Sequence, residues 1–157
     1  MPRSSDSTPV TATNGSLPPN WIWQIRHVIP SVPHESRRVL DELLAQLREQ
    51  SWVEHDVFSV HLAMEEALMN AIKHGNKLDA RKCIHVVCKL SPQMLRIEVT
   101  DEGSGFDPAA VPDCTEDDRL EVPSGRGLML MKSFMTDVEY NERCNGVILE
   151  KARTPAA

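Results

Sequence analysis

From His34 to about Gln50 the apolar residues Val39, Leu40, Leu43, Leu44 and Leu47 recur at steps of three and four, with Arg37, Arg38, Asp41, Glu42 and Arg48 between them. That spacing predicts an amphipathic helix with one buried stripe. A second stripe, Val57, Val60, Met64, Leu68 and Ala71, predicts a helix from about Glu54 to Lys73. It is expected to stop at His74-Gly75-Asn76, because Gly and Asn tolerate the left-handed backbone that ends helices. β-rich runs predict a strand from Trp21 to Ile29, bounded by Pro30, and a hairpin of Ile84–Leu90 and Leu95–Thr100 across Ser91-Pro92-Gln93. A third helix is expected from about Leu128 to Thr136, with Met129, Met131 and Met135 as adaptable core residues. Strands Val138–Arg143 and Val147–Lys151 are then expected to pair across an Asn145-Gly146 turn, and Thr154–Ala157 to fray. Helices interleaved with hairpins predict an α/β fold, a two-layer sandwich of a mixed, mainly antiparallel sheet with helices on one face.

Composition narrows the function. The chain has 157 residues and a net charge of −6, from 17 basic against 23 acidic side chains, a balance unsuited to binding a phosphate backbone. Charges interrupt every apolar run well before the roughly 18–20 residues of a membrane span, and no secretory pattern opens the chain, so a cytoplasmic protein is expected. Aromatic residues make up 4%, too few for stacking platforms on single-stranded nucleic acid. The four cysteines form no CxxC pair, so inert thiols are expected rather than zinc or a disulfide framework. Residues 1–20, rich in Ser, Thr and Pro, are expected to be a disordered tail, leaving a domain over 21–153.

Three stretches carry candidate chemistry. Glu66 and Asn70 lie four residues apart, hence on one helix face, with Lys73 and His74 following. Asp101-Glu102-Gly103-Ser104-Gly105-Phe106 follows a strand; its glycines let a ligand approach the backbone, and Asp101 can accept a hydrogen bond from an exocyclic amine. Ser124-Gly125-Arg126-Gly127-Leu128 opens a helix, where free N–H groups and the helix dipole suit a phosphate. Asp101 to Gly127 is long for a connection and holds a cluster of acids, as a functional loop would.

In order and spacing these stretches resemble the N, G1 and G2 boxes of the ATPase superfamily that includes gyrase, the heat-shock chaperone, histidine kinases and the mismatch-repair ATPase. The run Glu66-Ala67-Leu68-Met69-Asn70-Ala71-Ile72-Lys73-His74-Gly75 looks most like the anti-sigma-factor serine/threonine protein kinases. The resemblance implies the histidine-kinase-like ATPase fold, with ATP and Mg²⁺ as ligands. It implies that Glu66 is the catalytic base, that Asn70 holds Mg²⁺ and that Asp101 receives the adenine amine beside Gly103, Gly105 and Phe106. Lys73 and His74 would border the nucleotide. Gly125, Arg126, Gly127 and Leu128 would close on the phosphates, and 106–124 would form the lid. The implied partners are a small anti-anti-sigma (STAS-type) antagonist phosphorylated on Ser or Thr and a sigma factor, with a homodimer left open. Where the family usually has Gly-Thr-Thr, this chain has Cys144-Asn145-Gly146, so a hydroxyl that helps bind adenine is missing. A nucleotide-gated binding module without kinase activity and a stand-alone histidine-kinase-like ATPase domain are the alternative readings.

Overall fold

A computed structural model describes residues 20–103 and 125–155, except the side chains of 125 and 126. Of the expected tail over 1–20, all but Asn20 lies outside the described residues, as does the expected lid over 106–124. The chain runs β1 (Trp23–Pro30), α1 (Pro33–Glu49), α2 (Glu54–Asn70), a π-turn (Ala71–Gly75), β2 (Cys83–Leu90), β3 (Met94–Asp101), α3 (Gly125–Phe134), β4 (Asp137–Tyr140) and β5 (Gly146–Ala152). The sheet order is β1-β2-β3-β5-β4, and every pairing among the described residues is antiparallel.

Alternation along β2 and β3 buries Ile84, Val86, Cys88, Leu90, Leu95, Ile97 and Val99 beneath the helices. The other face carries an ion-pair cluster in which Arg96 meets Glu98 at 3.1 Å and Glu150 at 2.7 Å. Both predicted helical stripes are buried in full. The middle helix, α2, packs against both α1 and α3, while Phe58 and Glu65 on it stay exposed. Met131 on α3 and Met135 just after it join the core as expected, whereas Met129 is exposed. No helix among the described residues is long and apolar enough to cross a membrane.

Four local expectations are corrected. The chain continues past the α-helical part of α2 as a π-turn in which Asn76 N–H reaches the Ala71 carbonyl at 2.8 Å. Neither Gly75 nor Asn76 is left-handed; that conformation falls on Lys77 (φ 52°) and Leu78 (φ 61°). The last hairpin does not turn at Asn145-Gly146 either. Tyr140 pairs with Val147, the loop is 141–145, and Gly146 already lies in β5. Gly146 is required for space, since a β-carbon there would lie 2.7 Å from Asn141 Nδ2 and 3.0 Å from Thr100 Oγ1. Cys144 (φ 59°) is disulfide-bonded, while Cys83 and Cys88 carry free thiols. A pairing made by tertiary approach leaves no mark in cysteine spacing.

The last correction concerns the C-terminal end. Thr154 is held rather than frayed, its N–H and hydroxyl donating to the fully buried Asp56 carboxylate at 2.8 and 2.7 Å. Lys151 Nζ lies 3.8 Å from the same carboxylate. The Arg153 guanidinium lies over the Trp52 ring and donates to the carbonyls of Pro92, Gln50 and Ser51. These contacts fasten β5 to the start of α2 and to two turns. Ending the chain at Ala152 is therefore expected to lower unfolding free energy by roughly 3 kcal/mol, because a buried carboxylate loses its donors. Chemical denaturation measures this, and a frayed terminus would leave the midpoint unchanged.

Candidate functional site

The segment 66–76 supplies one wall of the site. Glu66 and Asn70, one turn apart on α2, line a cavity of about 410 Å³ with Leu62, Glu65, Met69, Lys73, His74 and, from α3, Leu130. The helical face predicted from their spacing thus opens into a cleft of small-molecule size, for which ~300–1,000 Å³ is typical. Tyr140 on β4 approaches the same place. Burial raises its phenol pKa, and the charge of Glu66 raises it further. Sequence reasoning passed over Tyr140, because a tyrosine in a strand reads as packing.

The second wall is made where the π-turn meets the end of β3. A methyl group on Gly75 would overlap the Asp101 carboxylate, and one on Gly103 would overlap the Gly75 carbonyl oxygen. Both glycines are thus required by close approach rather than by turn conformation. Asp101 is nearly buried and accepts the Gly103 N–H at 2.8 Å. Its carboxyl lies above the ordinary value of 3.8 because burial outweighs the Gly103 N–H and the more distant Lys82. Fully buried Asn76 ties the region together. Its amide nitrogen donates to Ser31 Oγ at 2.8 Å and the Cys83 carbonyl at 3.0 Å, and its oxygen accepts the Glu102 N–H at 2.8 Å. Glu102 is in turn held below the usual carboxylate range, first by the Cys83 N–H and then by His85.

Asn145 occupies the place where a hydroxyl was expected to be missing. Asp101 N–H donates to the Asn145 carbonyl at 2.9 Å, and the Asn145 side chain donates to the Asp101 carbonyl at 3.3 Å. Gly125 and Arg126 open α3, and Gly127 and Leu128, in its first turn, are buried. Gly105, Phe106 and the Arg126 side chain lie outside the described residues. Of the predicted site residues, then, Glu66, Asn70, Lys73 and His74 share the cavity, and Asp101 and Gly103 form the adjoining knot against Gly75.

The sequence model for the histidine kinase-like ATPase domain matches residues 29–151, which takes in both walls of this site. The chain belongs to that family. Among curated relatives of this ATPase-family chain are the anti-sigma F factors of Bacillus thuringiensis (strain Al Hakam) and Bacillus anthracis (strain CDC 684 / NRRL 3495), each 32% identical over 87 residues. The match covers 54% of this chain and 59% of each relative, so the chain spans under two thirds of the proteins it resembles. The crystal structure of the RsbU and RsbW domains of Rv1364c from Mycobacterium tuberculosis superposes with a TM-score of 0.58 at 18% identity, covering 85% of this chain and 33% of that one. It supports the shared fold.

The knot of this ATPase-family domain carries a pH signature. A buried acid whose folded pKa is raised binds more protons folded than unfolded, so its contribution to stability falls as pH rises through that interval. Without ligand, Asp101→Asn is expected to match the parent well below pH 3.8 and to become the more stable protein as pH rises above it, as chemical denaturation at several pH values would record. A constant difference across pH would contradict the assignment. Asn76→Ala removes three hydrogen bonds in a buried place and is expected to cost roughly 2–4 kcal/mol in the same measurement; a loss under about 0.5 kcal/mol, the size of a surface substitution, would contradict the tying role.

Proposed function

We propose that the chain binds ATP with Mg²⁺ and transfers the terminal phosphoryl group to a serine or threonine of a small anti-anti-sigma (STAS-type) antagonist, acting also as a holder of a sigma factor in the cytoplasm. The observation that carries this reading is the shared cavity of Glu66 and Asn70, with the Asp101 knot next to it. A carboxylate facing a cleft beside a nucleotide site has a task in transfer that a module merely holding nucleotide does not need. We assign 21–153 to one ATP-binding domain with its lid at 106–124.

Each residue then has one chemical task. Asp101 accepts the exocyclic amine of the base, with Gly103, Gly105 and Phe106 beside it. The backbone N–H groups at the start of α3, from Gly125 through Leu128, meet the phosphates, and Lys73, His74 and Arg126 border them. Glu66 takes the proton from the attacking hydroxyl as the oxygen–phosphorus bond forms and the bond to the departing ADP breaks. Among the described residues no three His, Cys, Asp or Glu side chains cluster as a metal cage. The amide oxygen of Asn70 would hold a hard cation that arrives with the nucleotide. When bound, Mg²⁺ neutralises charge on the transferring group. The product phosphate adds about −1.5 to −2 charges to the antagonist, enough to disrupt a close protein contact by repulsion and desolvation. Any effect on transcription thus passes through proteins.

Labelled ATP with the purified chain and candidate antagonists tests the reading. Label is expected on a partner Ser or Thr. Glu66→Gln is expected to lower transfer by about 10²–10⁴-fold with ATP binding retained, and Asn70→Ala to abolish Mg²⁺-dependent binding. Nucleotide binding with no transfer to any partner would replace the kinase by a nucleotide-gated binding module.

A further inference from the structure

The chain holds three phenylalanines, and two of them meet at the surface beside the site. Phe58 on α2 is 55% exposed, and its ring stands edge-on to that of half-buried Phe134 on α3, with centroids 6.3 Å apart and planes at 89°. Val57 and Val60 seal the core next to it, so the core does not call for an aromatic ring at 58. Leu62 on α2 and Leu130 on α3, each four residues from its phenylalanine, are half-buried and line the Glu66 cavity. The step from Phe58 to Leu62 runs forward along the chain and the step from Phe134 to Leu130 runs backward, as in an antiparallel helix pair. Steps of four stay on one face of a helix, and the next step along α2 after Leu62 is Glu66. An apolar ridge therefore follows the α2–α3 seam into the cleft that holds the carboxylate.

We propose that this ridge docks the phosphoacceptor partner, an apolar side chain of the partner seating on Phe58 and Phe134 while its Ser or Thr enters the cleft at Glu66. Continuity with the cavity sets the occupant. A hydroxyl that reaches Glu66 along the seam carries its flanking residues over Leu62, Leu130 and the two rings. Glu66 follows Phe58 by eight residues of helix, about 12 Å, which an extended segment covers in about three or four residues. The partner is therefore expected to carry an apolar side chain about three or four positions from its acceptor. Exposed aromatic rings suit that task, since they bring large contact area at interface centres. The inference rests on the phosphotransfer reading above and deepens it by naming what selects the acceptor.

Steady-state transfer from labelled ATP to the antagonist that takes label tests it, with the full chain, Phe58→Ala and Phe58→Leu. Phe58→Ala is expected to raise KM for the antagonist about tenfold, the effect of truncating one interface anchor. Its kcat and its affinity for ATP are expected to stay within about twofold, the pattern of lost partner binding rather than lost chemistry. Phe58→Leu, which keeps an apolar side chain, is expected to fall between the two. Each apolar residue within five positions of the labelled Ser or Thr is then changed to Ala in the antagonist. One of them is expected to raise KM about tenfold with the parent chain and to have no further effect with Phe58→Ala, because the two side chains share one contact. An unchanged KM in Phe58→Ala overturns the inference, including the case where sedimentation shows that the variant has lost a dimer, since a second copy would then be the occupant. So does a loss of ATP affinity as large as the loss of transfer, the mark of a ridge that serves the nucleotide site. So do antagonist substitutions that cost the same with the parent chain and with Phe58→Ala. A parent chain that binds ATP and labels no antagonist overturns the phosphotransfer reading itself, and the inference with it.

Discussion

The Asp101 carboxylate lies against Gly75 in space that any β-carbon would fill, and the rest of the site depends on that approach. It brings the end of β3 onto the end of the α2 segment, which fixes the cavity face of Glu66 and Asn70 relative to Asp101. The π-turn accommodates this by carrying the backbone five residues to close Asn76 N–H onto Ala71, and such widened turns are frequent at functional sites. Asn76 then meets Ser31, Cys83 and Glu102 at once, so the strand that bears Asp101 is anchored to two other parts of the chain. The carboxylate is thereby desolvated, which costs stability in the unliganded protein and leaves a strong acceptor waiting for a donor.

Much of the fold was legible in the sequence because burial follows period. The stripes of α1 and α2, and the β2–β3 hairpin, come out as read, since helix period and β-rich runs flanking a turn are local signals. What was not legible was placed by contacts distant in sequence. Gly75 and Asn76 invite a reading as helix stops, yet the glycine is there for the Asp101 carboxylate and the asparagine for its side-chain bonds. Asn145-Gly146 looks like a tight turn, yet the Asn141–Asn145 side-chain pair closes a longer loop and moves Gly146 into the strand. Thr154 and Arg153 find Asp56 and Trp52 across about a hundred residues of chain, which no local pattern records.

The site divides in the same way. Glu66, Asn70 and Asp101 were legible because their spacing matches a family pattern, and the match over residues 29–151 places the chain in that family. Tyr140, Asn76 and Asn145 were not, because each acts on a motif residue from another element. These three reach the candidate site from outside its motifs: Tyr140 is close enough for the Glu66 charge to raise its pKa, Asn76 holds the Glu102 backbone, and Asn145 bonds the Asp101 main chain.

The most direct measurement of the central claim is a crystal structure of the full chain with Mg²⁺ and a non-hydrolysable ATP analogue. The account predicts the base amine within hydrogen-bond distance of Asp101, over the Gly75 junction, with the phosphates running toward Asn70 and the start of α3. An analogue bound elsewhere, or a base whose amine faces away from Asp101, would contradict it.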